Sequence, residues 1–314
     1  MNYLSFKLND LSNDELQELL GIDDQNLKLL VELYGSDINF RDNEVKLFSD
    51  DKNLLSLLEN QINHLLLLIR AKTNIDKNII KQSFISLSKD ADISWQKDIA
   101  GYTASGKPIK YKTSNQYKLS KAIYHNDLVF SIGPAGTGKT YLAVLLACNA
   151  FKKNEIKKII LTRPAVEAGE SLGFLPGDLK EKVDPYLMPL YDALYEILGE
   201  EQVNRMLEKN QIEIIPLAYM RGRTLNDSFV ILDEAQNTTP GQMLMFLTRL
   251  GLNSKMVVNG DLTQIDLNMY KTKSGLTVAN DKLRSIKGIE FLEFDTSDIV
   301  RNPLVEKIIQ RFND

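Results

Sequence analysis

The sequence predicts an α/β protein, in which a mostly parallel sheet with helices on both faces follows a small N-terminal α+β region. From Gln116 onward, continuous apolar runs alternate with helical stretches, which is typical of buried parallel strands. A glycine-rich loop joins the first of these runs to a helix, and a later run ends in two carboxylates. In such a sheet, ligands bind at the carboxyl ends of the strands, so we expect a ligand site there.

The composition is that of a soluble globular chain, with 43% hydrophobic and 25% charged residues. A net charge of −4 argues against a chain built mainly to coat nucleic acid, although it is compatible with a local basic groove. The single cysteine, Cys148, fits a reducing compartment, and two histidines are too few for most structural zinc sites. We recognise no signal peptide and no membrane-spanning run, so we expect a cytoplasmic protein.

Three regions are predicted along the chain. Residues 1–72 form a small α+β domain that ends in a long amphipathic helix over Lys52–Lys72. Residues 73–115 form a linker, with a helix at Asn78–Leu87 and a hairpin arm after Ile93. Residues 116–314 form the main domain. Its strands are predicted at Leu128–Ile132, Lys158–Leu161, Glu213–Ile215, Phe229–Leu232, Lys255–Val258 and Glu290–Phe294. Its helices are predicted at Lys139–Lys153, Asp178–Leu198, Gly241–Leu250 and Pro303–Phe312.

The glycine-rich loop is the most specific motif. Its residues, Gly133-Pro134-Ala135-Gly136-Thr137-Gly138-Lys139-Thr140, match G-x-x-x-x-G-K-[ST] at every fixed position. Glycines let the backbone N–H groups point inward at phosphate oxygens, and the helix that starts at Lys139 adds its positive end. Lys139 can reach the β- and γ-phosphates, while the hydroxyl of Thr140 can ligate Mg²⁺. The loop and the following Tyr141 therefore predict a site for ATP and Mg²⁺. A structural glycine turn is the weaker alternative.

Two later strands end in polar residues that suit the same site. Asp233 follows an apolar strand and is predicted to hold Mg²⁺ through water, and Glu234 is the candidate general base or water-orienting group. An acidic pair is also common at a solvated helix N-terminus, which is the structural alternative. Asp261 and Gln264 follow the next apolar strand and could sense the γ-phosphate, although turn chemistry alone also selects Gly-Asp.

These motifs together resemble the PhoH family of P-loop ATPases. The resemblance rests on the P-loop, the segment Thr162–Glu170, the run from Asp233 to Asn237 and the run from Gly260 to Gln264, and it extends from about Asn115 to the C-terminus. It implies a P-loop NTPase (RecA-like) fold similar to the first motor domain of superfamily-one helicases, and an ATPase that acts on RNA. Gln116 falls where such ATPases place an adenine-reading glutamine, and a surface glutamine is the alternative.

The resemblance also has implications for partners. It implies an endoribonuclease partner. It likens residues 1–72 to a KH-type nucleic-acid fold. A KH module clamps the backbone with a GXXG loop, whereas this chain offers Gly21-Ile22-Asp23-Asp24. Because carboxylates repel phosphates, packing or partner docking is at least as good an explanation for this region.

An arginine that neutralises the transferring phosphoryl group accelerates such reactions by about 10³–10⁵-fold. About fifty residues follow Gln264 here, too few for a second motor domain, so the arginine is expected from the same domain or from a neighbouring subunit. We favour a neighbour, and therefore expect a homo-oligomeric ring, with a hexamer as one arrangement, or another head-to-tail oligomer. The candidates are Arg301, Arg249, Arg221 and Arg223, and the resemblance favours Arg301 as a catalytic, nucleotide-responsive residue. Surface or helix-capping arginines are the alternative.

Single-stranded RNA is the predicted macromolecular partner. The best local patch interleaves lysines that can contact phosphates with tyrosines that can stack on bases, namely Lys107, Lys110, Lys112, Lys118, Lys121, Tyr102, Tyr111 and Tyr117. A solvated face is the alternative for such a patch, and Arg221 with Arg223 form a second candidate.

Two further functions fit a P-loop. A nucleotide-dependent assembly switch would control a partner without strand separation. A small-molecule kinase would need an arginine-rich lid over an acceptor pocket, and the sequence contains no such segment.

Overall fold

The computed structural model describes residues 3–8, 11–41, 43–89, 93–164, 179–265 and 273–301, together with residues 304, 305, 308 and 311. For residues 179–186 it describes the backbone alone. The chain divides into two compact units, residues 1–98 with 110–114 and residues 99–109 with 115–314. Residues 165–170 of the motif segment and most of the predicted helix Pro303–Phe312 lie outside the described residues.

The first unit packs helices on a small antiparallel sheet of order β1-β3-β2. Its described elements are β1 (Leu4–Lys7), α1 (Asn13–Leu20), α2 (Gln25–Tyr34), β2 (Ile38–Arg41), β3 (Glu44–Leu47), α3 (Lys52–Arg70) and α4 (Lys77–Ser88). Helix α1 begins with a reciprocal capping box, because Ser12 accepts from the backbone of Glu15 and Glu15 accepts from the backbone of Ser12. Leu30, Leu58, Ile62 and other fully buried side chains form its core.

The predicted α+β region is present. Its edge strand β1 was not predicted, because four residues of alternating pattern are too short to identify a strand. Helix α4 and the chain up to Asp98 belong to the first unit, whereas the predicted linker begins at residue 73. The connection between α1 and α2 carries Asp23 and Asp24, which are exposed. The likeness of this region to a KH module stays a prediction.

The second unit contains a six-stranded sheet in which every observed pairing is parallel. Its strands are β6 (Leu128–Ile132), β7 (Lys158–Arg163), β8 (Ile212–Pro216), β9 (Ser228–Leu232), β10 (Lys255–Gly260) and β11 (Ile289–Glu293). Its helices are α5 (Ser114–His125), α6 (Lys139–Lys152), α7 (Leu179–Leu198), α8 (Glu200–Glu208), α9 (Pro240–Leu247) and α10 (Gly275–Leu283). A short hairpin of β4 (Ile99–Tyr102) and β5 (Pro108–Lys110) precedes them.

The strand order in this sheet is β11-β6-β10-β9-β7-β8. All residues of β6 and β9 are buried, as their unbroken apolar sequences predict. All six predicted strands are found, within two residues at each end, and the P-loop NTPase (RecA-like) fold is confirmed. Helices α5, α8 and α10 were not predicted.

None of the described helices combines the length and the apolar character that crossing a bilayer requires.

Acid should weaken the first unit through His64. Its ring nitrogen Nε2 lies 2.6 Å from Gln96 Oε1, and burial lowers the pKa of His64 although this hydrogen bond opposes the effect. The unfolded chain takes up this proton near pH 6.5, before the folded one does. The contribution of neutral His64 to the free energy of unfolding is therefore present above about pH 6.5 and is lost as the pH drops below that value. We expect thermal unfolding followed by the fluorescence of Trp95, the sole tryptophan, to show this loss between pH 7.5 and about 5.5.

The control variants separate this effect from general acid sensitivity. His64→Gln should flatten the dependence of Tm on pH, while His125→Gln, at an exposed histidine, should not. Equal slopes in wild type and His64→Gln would contradict the assignment.

Candidate functional site

The order of the strands brings four polar chain segments to one edge of the sheet. Ile132 pairs with Gly260, and Leu232 pairs with both Val258 and Thr162. Gly133, Asp261 and Asp233 directly follow their strands, and Arg163 is the last residue of β7. Backbone hydrogen bonds hold the ends of neighbouring strands at the same level of the sheet: Gly133 N donates to Gly260 O at 3.0 Å, and Asp233 N donates to Thr162 O at 2.9 Å. The candidate site is therefore built on rigid strand ends.

The P-loop folds around its own lysine. Lys139 Nζ donates to the carbonyl oxygens of Gly133 and Pro134, each at 2.7 Å, and lies 3.2 Å from Thr137 Oγ1. Burial lowers the pKa of Lys139, while the carboxylates of Asp261, Asp233 and Glu234 act in the opposite direction. The ammonium group is thus held inside the loop, beside the amides at the start of α6 that have no acceptor within their own helix. This is a cradle for an anion.

Gly138 is the cap residue of α6 and requires a left-handed backbone, with φ of 80°. A Cβ there would lie 2.9 Å from Gln116 Nε2, and this amide nitrogen donates to Thr137 O at 2.9 Å. Gln116 is 8% exposed and supports the loop directly. Its role in reading a base stays a prediction.

Thr140 and Asp233, the two predicted metal ligands, are in direct contact. Thr140 Oγ1 donates to Asp233 Oδ1 at 2.5 Å. The other oxygen, Oδ2, accepts from Arg163 Nε at 2.8 Å and also from Arg163 Nη2. Within the described residues, no three His, Cys, Asp or Glu side chains form a metal-binding group. A hydroxyl and one carboxylate are nevertheless the protein ligands that suit Mg²⁺ when phosphate oxygens and water complete its shell. The residues present therefore fit the predicted ion.

A chain of hydrogen bonds connects Glu234 to the P-loop. Gln236 Nε2 donates to Glu234 Oε2 at 2.6 Å, and Gln236 Oε1 accepts from Asp261 N at 3.0 Å. Asp261 Oδ2 in turn accepts from Ala135 N at 3.1 Å. Gln236 is buried, while the side chain of Glu234 remains 46% exposed and is accessible to water. The candidate base is thus oriented by a buried amide.

These groups line one cavity of about 250 Å³. Its lining includes most of the predicted nucleotide residues, namely Ala135, Gly136, Gly138, Lys139, Thr140, Tyr141, Asp233, Glu234, Asp261 and Gln264. Gly133, Pro134 and Thr137 form the loop wall through the bonds to Lys139. The volume suits part of a nucleotide, such as a phosphate tail, better than a whole drug-sized ligand of at least about 300 Å³.

Arg301 lies on the P-loop of its own chain. Its Nη2 donates to Ala135 O at 2.7 Å, and Val300 N donates to Gly136 O at 3.0 Å. The other candidate arginines are elsewhere. Arg223 pairs with Glu213 at 2.6 Å, Arg249 donates to the backbone of Arg223 at 2.8 Å, and Arg221 is exposed.

Sequence reasoning gave no role to Arg163 and Gln236, although both contact the predicted carboxylates. A signal for Arg163 was available, because a charged residue at the end of a buried strand lies at the ligand-binding edge, as Asp233 does. Gln236 carries no comparable signal, since its contacts come from the turn that follows β9.

Comparisons with known proteins identify the family. The family model described as "PhoH-like protein" matches residues 108–313. The chain belongs to the PhoH-like family. A PhoH-like protein of Bacillus subtilis is 51% identical over 304 residues, which cover 96% of this chain and 94% of that protein. A PhoH-like protein of Mycobacterium tuberculosis (strain H37Rv) is 46% identical over 305 residues, which cover 96% and 86%. Family membership and the folded P-loop support an NTPase with nucleotide-dependent activity.

Among solved structures, the Pif1 helicase from Candida albicans is similar in fold, with a TM-score of 0.35 and 14% identity. The match covers 64% of this chain and 43% of the helicase. A likeness at this level carries no conclusion about activity or substrate.

Gly138→Ala should impair the loop beyond its backbone cost. A non-glycine residue at this φ costs about 1–2 kcal/mol, and the new Cβ would push on Gln116 as well. Gly106→Ala is the matched control, because Gly106 has φ of 82° and open space around its Cβ position. We expect both variants to lower Tm, and only Gly138→Ala to weaken binding of a fluorescent ATP analogue. Unchanged affinity in Gly138→Ala would contradict this role.

Proposed function

We propose that this protein is a Mg²⁺-dependent ATPase that works on single-stranded RNA as a homo-oligomer. The observation that carries the ATPase part is the 2.5 Å approach of Thr140 Oγ1 to Asp233 Oδ1, beside the folded P-loop and Glu234. The residues that would hold the ion and the residue that would handle water thus converge on one cavity.

Each residue has a defined task in this proposal. Lys139 exchanges the carbonyl oxygens of Gly133 and Pro134 for the β- and γ-phosphates, because an ammonium bonds more strongly to charged oxygens. Thr140 and Asp233 hold Mg²⁺, which when bound neutralises charge on the phosphates. Glu234, oriented by Gln236, holds the attacking water and accepts its proton. Gln264 lines the same cavity, and in this proposal it responds to the γ-phosphate.

The RNA part of the proposal rests on the family resemblance and on surface chemistry. Lys118 and Lys121 are exposed on helix α5, with Lys121 over the ring of Tyr117 at 5.0 Å. Lys107 and Tyr102 are exposed on the hairpin of the same unit. Lys112 is exposed in the first unit, where Lys110 donates to Thr73 at 3.1 Å. Cationic groups beside tyrosine rings suit a flexible strand of phosphates and bases.

Turnover of ATP with and without single-stranded RNA tests this proposal. Glu234→Gln should lower turnover by about 10²–10⁴-fold, because the water loses its proton acceptor. Lys139→Ala should weaken binding of Mg·ATP, because the cradle loses its ammonium group. RNA should raise the turnover of wild type. Normal turnover in Glu234→Gln would remove the base assignment, and no response to RNA would remove the RNA role.

A pair of double variants locates the RNA contact. Lys118→Ala/Lys121→Ala should weaken RNA binding and reduce its salt dependence, by about 0.7 in the log–log slope for each lost phosphate contact. Lys152→Ala/Lys153→Ala removes the same charge from the exposed end of α6 and should leave both unchanged. Equal losses in the two variants would indicate a general charge effect.

An arginine from a neighbouring subunit completes the proposal. Of the candidates, Arg221 is exposed, whereas Arg223, Arg249 and Arg301 bond within their own chain. We expect Arg221→Ala to lower turnover by about 10³-fold or more. Mixing it with Lys139→Ala subunits should restore part of the turnover, since each chain then supplies what the other lacks.

The mixing experiment has a clear opposite outcome. If mixed subunits are no more active than their average, no arginine is shared in this way. Nucleotide-dependent assembly without RNA-stimulated turnover would then favour a switch that controls a partner, such as the endoribonuclease that the family resemblance implies.

A further inference from the structure

Arg163 occupies a fixed place beside the predicted metal ligand. It is the last residue of β7, and β7 pairs with β9 so that Thr162 lies opposite Leu232. Asp233 directly follows Leu232, and its amide donates to Thr162 O at 2.9 Å. The side chains of Arg163 and Asp233 are 16% and 4% exposed. The contact between them is therefore set by paired backbone and is shielded from water.

The two oxygens of Asp233 have separate partners. Oδ1 accepts from Thr140 Oγ1 at 2.5 Å, while Oδ2 accepts from Arg163 through both Nε, at 2.8 Å, and Nη2. A planar guanidinium that donates through two nitrogens restricts the rotation of a carboxylate. Oδ1 therefore stays directed at the P-loop threonine, where the metal is expected.

Arg163 also balances the charge of the neighbouring carboxylate. Its Nη2 lies 3.9 Å from Glu234 Oε1. A cation close to two adjacent carboxylates offsets the repulsion between their charges. Lys139 is directed at the carbonyl oxygens of its own loop, and within the described residues the ion pairs of Asp233 and Glu234 are both made with Arg163.

We propose that Arg163 is a positioning residue of the nucleotide site: it fixes the Asp233 carboxylate, and thereby sets the affinity of the nucleotide complex for Mg²⁺. This inference rests on the proposed nucleotide chemistry of the same site. Two other roles for Arg163 give different results in the same experiment. A direct phosphate ligand would act without metal, and a purely structural ion pair would act on stability alone.

Binding of a fluorescent ATP analogue to the full chain tests the proposal, measured across a Mg²⁺ titration and again in EDTA. Arg163→Ala should raise the Mg²⁺ concentration for half-maximal binding by about tenfold, the size expected for losing hydrogen bonds to a charged group. Affinity in EDTA should change by less than about twofold, since Asp233 acts through the metal. Arg163→Lys should fall between Arg163→Ala and wild type, because it keeps the charge without the planar fork.

A double-mutant cycle shows whether Arg163 acts through Asp233. In an Asp233→Asn background, Arg163→Ala should add less than about a twofold further effect. The matched control is Lys158→Ala, which removes an ion pair of 2.9 Å with Glu213 at the other end of the same strand. It should leave the Mg²⁺ titration unchanged, even if both variants lower Tm.

Several outcomes would overturn the proposal. Wild-type Mg²⁺ dependence in Arg163→Ala, or an equal loss of affinity in EDTA, would do so, and so would an equal effect of Lys158→Ala. If Arg163→Ala does not fold, wild-type Mg²⁺ dependence in Arg163→Lys together with full additivity of Arg163→Lys and Asp233→Asn would be decisive against it. Failure of wild type to bind the analogue would instead remove the proposed function and, with it, this inference.

Discussion

The site depends on a loop that reaches across one strand of the sheet. Thr140 lies just beyond the loop that follows β6, and Asp233 directly follows β9. Because β10 lies between β6 and β9, the backbones of these two strands are about 10 Å apart. The P-loop crosses this distance and brings Thr140 Oγ1 to within 2.5 Å of Asp233 Oδ1. Asp261, at the end of β10, supports the crossing by accepting from Ala135 N. The strand order, the glycines and the intervening carboxylate thus serve a single contact.

Charge balance is the second constraint on the site. Among the described residues, Lys139 and Arg163 lie close to the carboxylates of Asp233 and Glu234, and Arg301 bonds to the P-loop, so each of these cations is already bonded. A nucleotide therefore displaces internal bonds instead of meeting free charges. Because a buried ammonium without a partner is costly, the self-bonded Lys139 keeps the loop ordered before any ligand binds. A ligand that replaces the P-loop carbonyl oxygens must accept stronger hydrogen bonds from Lys139 than they do, which favours ligands with charged oxygens.

Features that depend on residues close together in the chain could be predicted from the sequence, whereas features that depend on contacts between distant residues could not. The P-loop was predictable because its glycines, its lysine and its threonine act over eight consecutive residues. Strands β6 and β9 were predictable because burial on both faces makes every residue apolar. Helix α5 was missed because its inward face is interrupted by two buried polar residues, Gln116 and Ser120, and the hydrogen-bond partner of Gln116 lies in the P-loop, far along the chain. The contacts of Gln236 join a turn to another strand, and no local pattern encodes that meeting.

The sequence by itself determined the P-loop, the acidic end of β9 and the alternation that makes a parallel sheet, because neighbours along the chain fix turn geometry and burial. It also determined the PhoH-like family, since those motifs recur in one order. The tertiary structure alone decided that Arg163 pairs with Asp233, 70 residues away, and that Arg301 lies on its own P-loop. The order of parallel strands decides which of their ends are neighbours, and that order is set by packing of the whole sheet.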